Sequence, residues 1–135
     1  MPNPTGSRWE RTCINIFDDN GYGAIRVPSS GSSTKRELPD VHVGRKGRSI
    51  AAEVKYRGQG KDRIYVQEEK VEGLQWFAEQ FGSECYIAAR YGGNTDWAMV
   101  DPDTAERTPS GNISIHRREI GEWPTLEDVI SEDKP

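Results

Sequence analysis

The sequence predicts one α/β domain, a mixed β-sheet with helices on both faces. Three observations carry this. Two stretches, 7–20 and 67–81, space their apolar residues three and four apart, the period of an amphipathic helix. Between and after them lie short runs rich in β-branched and aromatic residues, bounded by Gly, Pro and Asn. One of these, CYIAARY at 85–91, is apolar almost throughout, as in a strand covered on both faces. The predicted order is helix, three strands, helix, two strands. At 135 residues the chain has the size of a single domain with a real core. That domain is expected to span 1–120, with 121–135 an acidic tail holding at most one short helix.

Taken in order, Ser7-Arg8-Trp9-Glu10 fits the S-x-x-E capping box, so a helix should start there and stop at Asn20-Gly21. Trp9, Cys13, Ile16 and Phe17 form its apolar stripe. On this reading Glu10 is a cap and Arg11 a surface charge. Residues 22–27 read as a strand ended by Pro28, and 29–36 (SSGSSTKR) as a loop whose hydroxyls and bases could grip phosphates. Strands 40–43 and 49–56 follow, joined by a turn at 44–47. After a loop at 58–62, 63–66 is a short extended segment. The second helix carries Val71, Leu74, Ala78 and Phe81 on one stripe, and Gly82 stops it. Trp76 and Phe77 widen that stripe, either into the core or into a subunit contact. Strand 85–91 turns at 92–94 into a hairpin partner at 95–100. Residues 112–116 alternate like an edge strand, and a short helix is expected near 125–130 after Pro124.

Composition narrows the function. Mean hydropathy is −0.83, and no apolar run reaches the length of a membrane span. No secretory-signal pattern opens the chain. Cys13 and Cys85 have no CxxC or Cys/His neighbour, so they read as buried free thiols in a reducing compartment, here the cytoplasm. The net charge is −4, but it is unevenly spread. Residues 26–63 hold ten bases against four acids, a net of +6, whereas 71–135 hold thirteen acids against five bases, a net of −8. Local field governs polyanion binding, so the basic half is the candidate nucleic-acid surface.

The chemistry-bearing residues lie inside that half: Pro39-Asp40, then Glu53-Val54-Lys55. Residues two apart on a strand share a face, so Glu53 and Lys55 should point together. Asp40 on a neighbouring strand could then meet Glu53. Two close carboxylates repel unless a cation lies between them, and hard oxygen donors suit Mg²⁺, with Mn²⁺ a possible substitute. A lysine beside such an ion can orient water, which is equipment for phosphodiester hydrolysis. Taken alone, Glu53 and Lys55 read equally as a solvated strand face. His42 would share the face of Asp40, where a structural partner is its commoner role.

These motifs resemble the PD-(D/E)xK nuclease superfamily, and within it the archaeal Holliday junction resolvases. The resemblance covers about residues 5–100. It rests on Glu10-Arg11 in the first helix, on Arg26-x-Pro28-x-Ser30-Gly31 before Pro39-Asp40, and on Glu53-Val54-Lys55-x-Arg57. It extends through Ile64-Tyr65-Val66 and the helix from Gln67 to Gly82. It implies a restriction-endonuclease-like fold and a metal-dependent endonuclease that resolves four-way junctions by paired symmetric nicks. It further implies that Glu10, Asp40 and Glu53 form the acidic metal group, and that Lys55 positions the water. Ser30 would reach the scissile strand from its loop. Arg11 and Arg26 would contact phosphate or support the site. Lys35, Arg36, Arg45, Lys46, Arg48, Arg57, Lys61 and Arg63 would hold the duplex arms. The implied partners are branched DNA and a second copy of the chain, with no membrane, and the second helix would contribute to the dimer contact. The net acidity departs from the usual basic character of that family and bears on affinity at ordinary salt. Two other readings keep the fold: a restriction-like or repair endonuclease on duplex or flap DNA, and a non-catalytic DNA-binding subunit.

Overall fold

Helix α1 (Pro4–Asp19) starts three residues before the expected cap. Proline is at home in the first turn, where its missing N–H would be unbonded anyway, so the helix reaches back past Ser7. Ser7 thus lies within the helix, and the capping-box reading of Ser7 and Glu10 is corrected. The structure is a computed structural model that describes residues 4–28, 36–93 and 96–132, with side chains from Arg8 onward. Cys13 and Phe17 of the predicted stripe are wholly buried. At the far end Asn20 donates its side-chain amide to the Ile16 carbonyl at 2.7 Å, and Gly21 takes a φ of 86°.

Five strands make the main sheet: β1 (Gly23–Arg26), β2 (Val41–Arg45), β3 (Arg48–Arg57), β5 (Glu84–Tyr91) and β6 (Ala98–Val100), in the order β1-β2-β3-β5-β6. The β2–β3 hairpin closes with Lys46 and Gly47 at φ values of 30° and 84°. Positive φ at both positions is what a two-residue turn of this hand requires. Strands β3 and β5 are parallel, linked by the crossover through α2 (Glu68–Phe81); the other neighbours are antiparallel. Gly82 ends α2 in the left-handed conformation. The sheet is mixed and flanked by helices, as predicted. One expectation needs correction. The segment 112–116 does not edge this sheet: β7 (Ile113–His116) pairs with β4 (Arg63–Val66) in a separate two-stranded sheet.

Alternation along β3 builds two cores. Ile50, Ala52 and Val54 pack with Cys13 and Phe17 on the α1 side, while Ala51 packs with Val71, Leu74 and Ala78 of α2. The second sheet closes the α2 side with Ile64, Val66, Ile113 and Ile115. Beyond a short 3₁₀ helix (Arg117–Glu122), α3 (Leu126–Ser131) is capped by Thr125 and buries Leu126, Val129 and Ile130 on the α1 side. The acidic stretch past residue 121 therefore supplies core residues. Cys13 is buried and Cys85 only partly so, and both are free thiols. Gly73 of α2 lies where any Cβ would drive into the Glu37 carbonyl group, so the helix clasps the segment leading to Asp40 at van der Waals distance.

Candidate active site

The site forms where β2 begins. Val41 pairs with Ala52, so one step further along the antiparallel register sets Asp40 opposite Glu53. The ladder holds Asp40 by its backbone: its N–H donates to the Ala52 carbonyl at 3.0 Å, and its carbonyl accepts from Val27 at 2.9 Å. Its Oδ2 accepts from the Val54 N–H at 2.8 Å. Glu53 shares the parity of Ala51 and so faces α2, where it is 2% exposed. Two ammonium groups flank its Oε2: Lys55 Nζ at 3.9 Å and Lys70 Nζ, from the first turn of α2, at 3.8 Å. Glu10, on α1, accepts a 2.6 Å hydrogen bond from Arg26 Nε of β1.

Burial raises all three carboxyls, and the charge of Asp40 adds to the shift of the other two. Burial, and next the charge of Asp40, push Glu53 up to about 8, more than Lys70 and Lys55 offset. Asp40 is also raised, burial outweighing the Val54 N–H and the two lysines. Glu10 is raised by burial and by Asp40, against the pull of Arg26. Between the ordinary 4.5 and about 8, the folded chain keeps a proton on Glu53 that the unfolded chain has lost. Raising the pH through that window therefore destabilises the metal-free fold. The expected result is a melting temperature in chelator that falls from about pH 5 to about pH 8. Glu53→Gln should flatten that fall in the same melting series.

Among the described residues, no three His, Cys, Asp or Glu side chains gather as a metal-binding group. Asp40 and Glu53 provide a pair of hard oxygen donors, while Glu10 is tied to Arg26. A pair of carboxylates with water completing the shell is the donor set a small hard divalent cation accepts. A cation there would also offset the burial that raises both acids and the Asp40 charge that further raises Glu53, so the residues fit such an ion.

The basic residues divide between the two ends of the hairpin. Arg57, Lys61 and Arg63 lie past the Lys55 end of β3, with Arg57 Nε donating to the Arg63 carbonyl at 3.2 Å. Arg45 and Lys46 are at the opposite end, five pairs from Asp40 and Glu53, or about 17 Å. Arg11 is exposed on α1, and the Arg36 guanidinium lies 4.2 Å from the Trp76 ring centroid. Ser30 and Lys35 fall outside the described residues.

The family model for archaeal Holliday junction resolvases (Hjc) matches residues 1–134. The chain belongs to the archaeal Holliday junction resolvase family. It is accordingly an endodeoxyribonuclease that resolves such junctions, a divalent-metal-dependent nuclease acting on branched DNA. The crossover junction endodeoxyribonuclease Hjc of Sulfolobus acidocaldarius is 37% identical over 113 residues, 83% of this chain and 77% of that one. The Hjc of Sulfurisphaera tokodaii is 31% identical over 93% of this chain and 85% of its own. The crystal structure of Archaeoglobus fulgidus Hjc superposes with a TM-score of 0.81 at 28% identity, covering 93% of this chain and all of that one. The restriction-endonuclease-like fold follows from that match.

Within this resolvase frame, one sequence expectation fails and three residues come forward that it overlooked. Arg48 does not face DNA. It is 8% exposed, its Nε and Nη2 bond Glu84 at 2.6 and 3.0 Å, and its Nη1 donates to the Tyr22 hydroxyl and the Val129 carbonyl. It fastens α3 to the sheet. Removing one partner of such a partly buried, charge-assisted pair costs about 2 kcal/mol. Arg48→Met should lower the urea midpoint accordingly, with junction affinity unchanged in the folded fraction. His42 is likewise structural: its Nε2 lies 2.8 Å from Ser49 Oγ and 3.0 Å from Ser83 Oγ, with Phe77 and Phe81 edge-on to its ring. The overlooked residues are Lys70, Arg8 and Arg90. Arg90 pairs with Tyr56 in the β3–β5 register and lies 4.8 Å from the Trp9 ring, which stacks on Tyr56. Arg8 lies over the same ring at 5.1 Å. The available signal was the aromatic residues beside Glu10 and Lys55 in sequence.

Proposed function

We propose that this chain works as a Mg²⁺-dependent homodimer, each copy cutting one of two opposed strands of a four-way DNA junction. The observation that carries the reading is the facing pair of acids, the buried Glu53 and the half-buried Asp40, with Lys55 beside them in a chain of this family. Asp40 and Glu53 would hold the ion together with the Val54 carbonyl, and Glu10 would support the shell through water. When bound, the ion would polarise a phosphoryl oxygen and acidify a coordinated water. Lys55 orients the attacking water and donates hydrogen bonds to the oxygens where charge accumulates. The water oxygen bonds to phosphorus as one strand P–O bond breaks, the water giving a proton to solvent and the departing oxygen taking one from solvent. Arg57, Lys61 and Arg63 hold the adjacent backbone, Arg11 and Arg26 support the site from the α1 side, and Ser30 reaches the scissile strand. Contacts of this kind read the shape of a junction rather than its bases.

The dimer reading rests on the aromatic residues of α2. Phe81 is 61% exposed and Trp76 40%, and Phe77 stacks on Phe81 at 4.4 Å. Exposed aromatics gathered this way are enriched in interface cores. Two-fold symmetry then presents two sites to the two strands of the junction. Free thiols and a DNA substrate fit a cytoplasmic setting, and among the described residues no helix is long and apolar enough to cross a membrane.

The test is a synthetic four-way junction cut in parallel with a linear duplex of the same sequences. With Mg²⁺ the expected products are symmetric paired nicks in the junction alone. Equal cutting of the linear duplex would favour a restriction-like or repair nuclease. No cutting with Mg²⁺ or Mn²⁺ would favour a non-catalytic subunit.

A further inference from the structure

Lys70 stands where a helix disfavours a cation. It is the third residue of α2, at the positive end of the helix dipole, whereas Glu68 and Glu69 before it are the residues that suit this end. A departure from a local rule beside a candidate site calls for a compensating contact. The contact is present: the side chain is 33% exposed, and its Nζ lies 3.8 Å from Glu53 Oε2, the same oxygen that Lys55 approaches at 3.9 Å. Burial pulls the Lys70 ammonium toward neutrality, but Glu53, Glu37, Asp40 and Glu10 outweigh it and leave the group more firmly protonated than a free lysine.

We propose that Lys70 is the counter-ion of the metal-free site, holding the place of the divalent cation beside Glu53 and Asp40 and withdrawing when the metal enters. The proposal rests on the reading of Asp40 and Glu53 as the metal ligands. A buried Glu53 carboxylate facing the half-buried Asp40 needs positive charge nearby. Lys55 reaches Glu53 from its own strand, β3, and Lys70 from α2, both on flexible four-carbon stems of equal exposure. A divalent ion entering at Glu53 Oε2 would meet two ammonium groups on one oxygen, and Lys70 is the one that the reaction proposed above does not use. Its positive charge therefore opposes metal entry.

The experiment is Mn²⁺ binding to the full chain without DNA, followed by electron paramagnetic resonance at a slightly alkaline pH. Lys70→Gln should bind Mn²⁺ on the order of tenfold more tightly than the parent chain, and Lys70→Arg should match the parent. The rise in melting temperature on adding Mg²⁺ should also be larger in Lys70→Gln. A merely structural lysine would lower the melting temperature equally with and without metal. Unchanged or weaker Mn²⁺ binding by folded Lys70→Gln overturns the proposal. Glu53→Gln should lose Mn²⁺ binding; if it does not, the ligand reading fails and the role of Lys70 with it. Should Lys70→Gln not fold, the parent chain still decides. The Lys70 side-chain resonances must shift as Mg²⁺ saturates, and a constant spectrum overturns the proposal.

Discussion

Asp40→Asn and Glu53→Gln should each reduce junction cleavage on the order of a thousandfold or more while leaving junction binding close to that of the parent chain. Both side chains keep their shape and lose only a charged oxygen. Asparagine can still accept the Val54 N–H that Asp40 now receives at 2.8 Å, so the start of β2 stays in register. Glutamine at position 53 removes a buried charge from a site where the carboxyl is already pushed up to about 8. Neither change should unfold the chain, and Glu53→Gln should melt no lower than the parent in chelator at alkaline pH. Binding should survive because the residues proposed to hold the arms, Arg57, Lys61 and Arg63, pair with neither acid among the contacts described. Gel-shift titration beside a cleavage time course separates the two effects. Lost binding with an intact fold would count against Asp40 and Glu53 as the metal pair.

Phe81→Asp should convert a dimer into a folded monomer. Phe81 is 61% exposed and belongs to neither core cluster, so its loss removes contacts with His42 and Phe77 but leaves both clusters intact. Across a two-fold interface the change is made twice. Burying a phenylalanine is worth about 2 kcal/mol, and a carboxylate in the same place adds a desolvation cost. The dimer should weaken on the order of a thousandfold or more. Sedimentation should show a monomer, and the paired symmetric nicks should give way to isolated nicks or none. A Phe81→Asp chain that still sediments as a dimer would place the interface elsewhere.

Some of this was legible in the sequence because local period suffices to reveal it. The stripes of Cys13 with Phe17 and of Val71 with Leu74 and Ala78 mark the buried faces of two helices, and CYIAARY marks a strand covered on both sides. The spacing from Asp40 to Glu53 and Lys55 also spans one hairpin, so facing acids could be foreseen. Partners distant in sequence could not. Alternation at 113–116 says which residues point inward, not that the strand pairs with 63–66 rather than with the main sheet. Arg48 counted as a DNA contact because a charge count carries no burial; its partner Glu84 is 36 residues away. The S-x-x-E box at Ser7 was a sound local signal, overridden by a proline that can open the helix earlier. Lys70 looked like one charge among many on a helix surface until the fold set α2 beside Glu53.

Anomalous diffraction from crystals of this chain grown with Mn²⁺ tests the metal pair most directly. The expected result is a peak between the carboxylates of Asp40 and Glu53 that is absent from Glu53→Gln crystals. A peak elsewhere, or none at saturating Mn²⁺, would contradict the assignment.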